Sequence, residues 1–486
     1  MISKTVKGFS LVEVILASAF FALIVTALGG ILAYGEESTA VGGSTSRASY
    51  LAEEGLEAVR NIRDNNLVNM VDGTYGLATT SNKWNLVLNT PDITDSYFTR
   101  AVQIGSVDSK TKSVTSTVSW NATLQRTKSV VLNTLLTRWQ TKTSGDWTIP
   151  LLGINFDLTV ANSGNNTADP TAIAFANNKV YLGRTNGAGR EFFIFDVSAP
   201  DAPVLLGQRD LDGTPRSIVI NGNYAYVAST DNASELQIID ISNPATIANV
   251  GKLTVVNLTN ANSNNNNGDL LALTTDGSYL YGARTGGDEF LIFDISVTPS
   301  TPGDPIGRGN TLVGVPTDIV LSGNYAYVVT DDNGAELQVM DITNKSAPTR
   351  PFAVDMASGD NNANALSLVV VGTNLIVGRA VATSPEFFTY DISNQAIAPV
   401  LSATLEVGFS VLDLYFSSDN NHLFAVTSDA TNDFKVFDAT VATALSLLGQ
   451  YDLVASPIFF VYNFILDRAF VADVSDTAEL VILKPS

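Results

Sequence analysis

The chain has 486 residues, no cysteine, a single histidine and a formal net charge of −21. Without cysteine there can be no disulfide framework, no thiolate zinc site and no cysteine nucleophile. The acidic balance is unfavourable for binding nucleic acid, because phosphate contacts need clustered Lys and Arg. A hydrophobic content of 45% is too high for a disordered acidic chain, so we expect a folded, β-rich exported protein.

The charge is unevenly distributed along the chain. Residues 1–146 carry 13 Lys and Arg against 12 Asp and Glu, whereas residues 147–486 carry 14 against 36. The whole acidic excess therefore lies in the C-terminal part. This shift predicts a domain boundary near Asp146.

The N-terminus contains a long apolar segment. Residues 9–34 include one charged residue, Glu13, and as a helix at about 1.5 Å per residue they could cross a bilayer. Lys4 and Lys7 precede the segment, as expected on the cytoplasmic side. The small residue Gly8 also lies before the apolar run, so cleavage there would leave the hydrophobic helix on the mature protein.

The stretch KGFSLVEVILA resembles the processing and methylation motif of type IV pilins and related pseudopilins. The resemblance implies that a prepilin peptidase cuts between Gly8 and Phe9, and that Phe9 becomes the N-methylated first residue. It implies that Glu13 meets the N-terminal ammonium of a neighbouring subunit. A carboxylate inside the hydrocarbon costs about 2.5–3.5 kcal/mol, so such a partner is expected on physical grounds as well. The alternative is an ordinary signal anchor with a chance glutamate.

The N-terminal module is predicted to be α+β and pilin-like. Residues 1–8 would be the leader, and residues 9–66 one long helix whose first part spans the membrane. Residues 67–146 contain alternating apolar and polar runs, which predict a small antiparallel sheet of three to five strands packed on the helix. The segment AEEGLEAVRNIRD also resembles the stem of PilV-like minor pilins.

Residues 147–486 form a repeat. An apolar strand ending in aspartate recurs six times at spacings of 44 to 54 residues, at Asp196, Asp240, Asp294, Asp341, Asp391 and Asp438. A seventh copy ends at Lys484. Seven units of about 47 residues predict an all-β, seven-bladed propeller with four strands in each blade. The repeats resemble the LVIVD-type repeats of bacterial surface proteins.

The last unit ends after its third strand. The segment PLLGINFDL, residues 150–158, is similar to PVLLGQRDL of the first unit, which is an outer strand. We therefore expect strand 150–158 to complete the last blade. Closing the ring in this way removes the exposed edges of an open array.

The first, third and fifth units differ from the even-numbered ones. Their second strands end in Arg184, Arg284 and Arg379, and they follow the Asn-rich segments TVANSGNNTADP, TNANSNNNNGD and DMASGDNNANA. These arginines and four hairpin aspartates are predicted to share one rim that binds a glycan or a protein. The aspartates are Asp231, Asp331, Asp332 and Asp429.

A structural role for the arginines is the alternative. Each arginine precedes a carboxylate that starts the next strand of the same unit, namely Glu191, Glu289 and Glu386. An exposed ion pair within one blade would contribute only ~0–1 kcal/mol. A Glu or Asp occupies this strand-start position in all seven units, which favours a structural function.

No metal site and no cofactor are predicted. The segments DDNGAE and SDATND are rich in oxygen ligands and leave a structural calcium ion open, although neither has EF-hand spacing. His422 is predicted to lie on the surface beside a turn. With one histidine and no catalytic motif, we expect no enzymatic activity.

The function predicted from these features is that of a minor type IV pilin-like subunit at the surface or tip of a pilus. Its propeller would serve adhesion or the binding of a protein or glycan. The expected partners are prepilin peptidase, the membrane before assembly, other pilin subunits through the helix, and a surface ligand, but no nucleic acid. The chain would be a single-pass membrane protein first and extracellular afterwards. The alternatives are a pseudopilin of a secretion system and a membrane-tethered propeller enzyme.

Overall fold

The computed structural model describes residues 10–486 apart from 66–69, 81–82, 89, 95–96, 109–110, 123–125, 138–143, 159–167, 188, 232, 248–252, 257–267, 287–288, 310 and 357–363. The chain divides into two compact units, Met1–Thr141 and Lys142–Ser486. The division therefore falls a few residues before the boundary near Asp146 that the charge distribution predicts.

The first unit contains one long helix, α1, from Leu11 to Asn65. Its first part, Leu11–Leu32, has a mean hydropathy of 2.5 and is fully exposed, so it is long and apolar enough to be a membrane anchor or a signal sequence. Its last part is amphipathic and packs on a sheet. The buried residues of that part are Ala48, Leu51, Ala52, Leu56, Ala58, Val59 and Ile62.

The sheet of the first unit is antiparallel and has six strands, more than the three to five that the sequence predicts. In chain order these are β1 to β6: Gly73–Thr80, Lys83–Leu88, Asp92–Thr94, Phe98–Asp108, Thr111–Ala122 and Arg126–Thr137. The spatial order is β2-β1-β4-β5-β6, with β3 paired to β4. The hairpin of β1 and β2 contributes Tyr75 and Leu77 to the core between sheet and helix, with Trp84 and Leu86 packed against it.

A buried arginine fastens the helix to this sheet. Arg100 on β4 is 3% exposed, and its guanidinium donates to the carbonyl oxygen of Leu51 at 3.1 Å. It also pairs with Glu54 of the helix at 2.9 Å and with Asp92 at 2.8 Å. Charge-assisted bonds of this kind fix the register of the helix on the sheet.

The second unit contains seven four-stranded antiparallel sheets, numbered here in chain order. Sheet 1 is Pro170–Ala176, Lys179–Arg184, Phe192–Asp196 and Val204–Arg209; sheet 2 is Pro215–Asn221, Tyr224–Ser229, Leu236–Asp240 and Leu253–Val256. Sheet 3 is Leu270–Thr275, Tyr279–Arg284, Phe290–Asp294 and Gly307–Gly309; sheet 4 is Pro316–Ser322, Tyr325–Thr330, Leu337–Asp341 and Thr349–Val354. Sheet 5 is Ala365–Val371, Asn374–Arg379, Phe387–Asp391 and Val400–Leu405; sheet 6 is Val411–Ser417, His422–Thr427, Phe434–Asp438 and Ser446–Tyr451. Sheet 7 is Pro457–Asn463, Arg468–Asp473, Leu480–Lys484 and Leu151–Phe156.

The sheets follow one another in a propeller-like arrangement. The first strand of each sheet contacts the first strand of the next, and that of sheet 7 contacts that of sheet 1. The second and third strands are almost entirely buried, because both faces of these strands are covered by neighbouring sheets. The apolar runs of the repeat therefore form the cores between sheets.

The aspartate that ends each repeated strand has a local structural role. Its carboxylate accepts the backbone N–H of the residue two positions later, at 2.8–2.9 Å, in six sheets. The donors are Ser198, Ser242, Ser296, Thr343, Ser393 and Thr440. This Asx turn ends the third strand and explains why aspartate recurs there.

Sheet 7 is completed by a strand from the beginning of the unit. Leu151–Phe156 pairs antiparallel with Leu480–Lys484, as the similarity of residues 150–158 to an outer strand predicts. The preceding residues are also fixed, because Asp467 accepts the N–H of Gly145 at 2.7 Å and the indole N–H of Trp147 at 2.8 Å. Trp147 is 1% exposed and packs edge-on against Phe424.

Candidate functional site on the loop-bearing face

One end of the second unit carries two sets of loops, which we call the loop-bearing face. These are the hairpins between second and third strands and the crossovers from one sheet to the next. The two sets are hydrogen-bonded together, for example Thr185 N–H to Asp169 O at 2.8 Å and Ser428 N–H to Ser410 O at 2.9 Å. The predicted rim thus corresponds to this face, although most of its three Asn-rich segments, 159–167, 257–267 and 357–363, lies outside the described residues.

The three arginines of the predicted rim are not exposed. Arg184, Arg284 and Arg379 are each 0% exposed, so the prediction that their guanidinium groups face a ligand is wrong. The ion pairs that the structure shows at these arginines connect neighbouring sheets, which the sequence did not predict. Each arginine pairs with a glutamate of the preceding sheet around the ring: Arg184 with Glu479 at 3.5 Å, Arg284 with Glu235 at 3.1 Å and Arg379 with Glu336 at 3.8 Å.

These inter-sheet ion pairs close the bases of the Asn-rich segments. Before segment 159–167, the N–H of Leu158 donates to Glu479 at 2.9 Å, and after it Arg184 donates to the carbonyl of Ala168 at 2.7 Å. Arg284 likewise donates to the carbonyl of Gly268 at 2.9 Å, directly after segment 257–267. Both ends of a long crossover are thereby held by one buried pair. This explains why arginine occurs only in units that follow an Asn-rich segment.

The carboxylates at the strand-start position hold the crossovers in most sheets. Besides Glu479, four of them accept a crossover N–H at 2.8–3.0 Å: Glu191 from Leu211, Glu336 from Met356, Glu386 from Val407 and Asp433 from Leu453. This agrees with the structural function that their recurrence favours. Burial raises the pKa of Glu191 and of Glu235 to about 7, because removal from water disfavours the ionised form of each carboxyl group.

The junction between sheets 6 and 7 has two acids at the positions that form an Arg–Glu pair in three other junctions. Asp473 stands at the arginine position and is fully buried, and Asp433 stands at the glutamate position. Burial raises the pKa of Asp433 to about 6, and the charge of Asp473 adds to the effect. The crossover here is short, so no long segment needs an arginine at its base.

The hairpin aspartates lie on the loop-bearing face and are half-buried. Asp231 and Asp332 each accept the N–H of the residue two positions later, at 2.9 and 3.0 Å. Asp331 accepts the N–H of Val315 at 2.6 Å, and Asp429 accepts from Thr431 N–H and from the ammonium of Lys435 at 2.7 Å. Their main contacts therefore shape the turns.

No three His, Asp or Glu side chains come close enough to hold a metal ion anywhere in the described part of the chain. In the segments considered for calcium, Asp331, Asp332 and Asp429 are occupied by the hydrogen bonds just given. His422 is half-buried against Phe424 and so is less exposed than predicted, and burial lowers its pKa.

Sequence reasoning missed a channel at the centre of the sheets. A cavity of about 250 Å³ is lined by residues from the first strands of all seven sheets. A second cavity of about 220 Å³ includes Val315 and Pro316, at the start of a first strand, and so lies towards the loop-bearing face. Its wall is mainly aliphatic, with Leu271, Leu366 and Leu412 among its residues.

Two carboxylates line the deeper cavity. Asp318 accepts the N–H groups of Ile319 at 2.8 Å and of Leu368 in the next sheet at 3.1 Å. Asp413 accepts those of Leu414 at 2.8 Å and of Phe460 in the next sheet at 3.0 Å. Burial raises the pKa of both to about 7, and the charge of Asp318 adds to the rise at Asp413.

The processing residues Gly8 and Phe9 lie outside the described residues. Glu13 lies in the first turn of α1, where its carboxylate accepts the N–H of Ser10 at 2.9 Å and its own N–H donates to the Ser10 hydroxyl at 3.4 Å. This reciprocal arrangement is a capping box. Glu13 therefore has a role within its own helix, which sequence reasoning did not consider.

Two segments of the second unit, 212–255 and 314–355, match the LVIVD repeat family. Among curated proteins no similar sequence was found. Similar solved structures include a chain of the mitotic checkpoint complex, with 12% identity, a TM-score of 0.49 and coverage of 72% of this chain and 98% of that one. The Pan2 WD40 domain of Neurospora crassa has 12% identity, a TM-score of 0.45 and coverage of 66% and 90%. A putative 6-phosphogluconolactonase of Bacteroides fragilis has 12% identity, a TM-score of 0.48 and coverage of 75% and 97%. These similarities are too distant to carry an argument about function.

Proposed function

We propose that this chain is a minor pilin-like subunit that is anchored by α1 and displays a seven-bladed β-propeller on the cell surface for binding a protein or glycan. The observation that carries the proposal is the division of one helix into two parts. Leu11–Leu32 is apolar and wholly exposed, whereas the part from Ala48 to Ile62 is packed on its own sheet. An exposed apolar half needs a bilayer or neighbouring helices to cover it.

The binding role rests on the loop-bearing face. Loops on a rigid scaffold commonly carry recognition, and here buried ion pairs fix the bases of the long crossovers. The site is therefore the face itself, with its half-exposed aspartates and its central channel. The arginines act beneath this face as supports.

The processing step is tested by mass spectrometry of the protein purified from its native envelope. We expect an N-terminus at Phe9 bearing an added methyl group, and a Gly8→Val variant that keeps its leader. A mature chain beginning at Met1, or one lacking α1, would rule the proposal out.

The role of Glu13 in assembly is tested by comparing two variants. Glutamine can replace glutamate in a capping box, so Glu13→Gln keeps the bond to Ser10 and removes only the charge. Glu13→Ala removes both. Loss of incorporation into filaments by both variants would support pairing with a neighbouring ammonium, whereas normal incorporation of Glu13→Gln would leave only the capping role. Deletion strains that lose secretion but keep attachment would favour a pseudopilin.

A further inference from the structure

Asp318 and Asp413 each accept a hydrogen bond from the next sheet, and this bond does not require a charged side chain. In sheet 2 the corresponding residue is Ser217, whose hydroxyl accepts the N–H of Leu273 in the next sheet at 3.2 Å. This is the same inter-sheet bond that Asp318 makes to Leu368 and Asp413 to Phe460, at 3.1 and 3.0 Å. Because a neutral hydroxyl suffices for it, the two carboxylates add negative charge to the channel for which the fold has no use.

That charge has no cationic partner. In the described residues neither carboxylate forms an ion pair with a lysine or arginine. Arg216 lines both cavities but forms no ion pair with either carboxylate, and its charge opposes the burial that raises the pKa of Asp269. Two carboxylates in a narrow channel with one arginine in its wall and no ion pair are unfavourable, so a bound cation would be stabilised there.

The shape of the channel distinguishes between kinds of cation. Calcium takes six to eight oxygen ligands, whereas only two side-chain carboxylates are present and each of their oxygens already accepts one N–H. The space on the loop side of the carboxylates is walled by Leu271, Leu366, Leu412 and Ile458. Aliphatic walls above an anionic floor suit a chain of methylene groups that ends in an ammonium group.

We propose that the central channel binds an alkylammonium group, with its methylene groups against the aliphatic wall and its ammonium donating to Asp318 and Asp413. An ammonium has three donors, and each carboxylate oxygen retains a lone pair that can accept one of them. The group could come from the lysine side chain of a partner protein or from a free aliphatic diamine. The inference deepens the binding half of the proposed function and does not depend on assembly into a pilus.

The test is calorimetric titration of the full chain in detergent at pH 8 with n-butylamine, and with n-butanol as a neutral molecule of the same shape. We expect saturable binding of butylamine only. The variant Asp318→Ser/Asp413→Ser follows the natural example of Ser217 and should lower the affinity at least tenfold. Asp201→Ser serves as the matched control and should bind as the unchanged protein does, because it removes a carboxylate at the opposite end of the sheets, where Asp201 pairs with Arg468 at 3.2 Å.

The source of the ammonium is distinguished by two further ligands, 1,5-diaminopentane and a short peptide with a single lysine. Stronger binding of the peptide points to a protein partner, and stronger binding of the diamine to a free amine. Equal binding of butanol, unchanged binding by the double variant, or displacement of butylamine by calcium would each overturn the proposal. If the double variant does not fold, Asp413→Ser alone should weaken binding measurably, and unchanged affinity in it counts as refutation. None of these results alters the N-terminal mass, so failure here and failure of the pilin proposal remain separable.

Discussion

The buried pair between Arg284 and Glu235 offers a sharp test of how neighbouring sheets are held together. Both side chains are 0% exposed and their charged atoms are 3.1 Å apart. Arg284→Met removes the cation, leaves Glu235 buried without its counter-charge and releases the carbonyl of Gly268. Removing one partner of a buried pair costs about 3–5 kcal/mol.

The expected change in Tm follows from this free-energy cost and the unfolding entropy of the second unit. At about 2.1 cal/mol/K per residue, the roughly 345 residues of the second unit have an unfolding entropy near 0.7 kcal/mol/K. The expected fall in Tm is therefore about 4–7 °C, measured by near-ultraviolet circular dichroism of the full chain at a fixed scan rate. Replacing both partners, as Arg284→Met/Glu235→Leu, should recover part of the loss because no buried charge remains.

An exposed pair provides the control. Arg190 and Asp210 are 44% and 65% exposed and lie 3.6 Å apart, so Arg190→Met should cost under about 1 kcal/mol. If Arg284→Met lowers Tm no more than Arg190→Met does, the buried pairs do not hold the sheets together. If the double variant is as unstable as Arg284→Met alone, the cost does not come from an isolated charge.

Three further predictions follow from buried groups in the second unit. Because burial raises the folded-state pKa of Asp318 and Asp413 to about 7, their contribution to stability is present at low pH and is lost as the pH rises through 7. Tm should therefore be higher at pH 5 than at pH 8, with a smaller difference in Asp318→Asn/Asp413→Asn; an equal difference in that variant would contradict the assignment. Trp147→Ala should lower the free energy of unfolding by about 3–5 kcal/mol in a denaturant titration, since it empties a buried aromatic site. A cost under 1 kcal/mol would mean that the segment before the closing strand is not anchored. Gly307→Ala should destabilise this unit, because a Cβ there would overlap the backbone carbonyl of Lys345, and an unchanged Tm would refute that packing.

The pattern of the sequence was sufficient for local structure within each repeat. The apolar strand ending in aspartate and the outer strand formed by Leu151–Phe156 both follow from recurrence and from the alternation of side chains. The channel was not predictable in the same way. Asp318 and Asp413 stand inside the apolar strands PTDIVLS and VLDLYFS, where no motif marks them.

The three arginines show which features the sequence by itself determined and which the tertiary structure decided. Recurrence linked Arg184, Arg284 and Arg379 to the Asn-rich segments, and that association holds. The sequence suggested the nearest carboxylate along the chain as the partner, because proximity in sequence is the only distance it contains. In the folded chain both faces of a second strand are covered by other sheets, so the long guanidinium side chain reaches the preceding sheet. Which groups become buried neighbours is a property of how the sheets pack against one another, and only the tertiary structure could decide it.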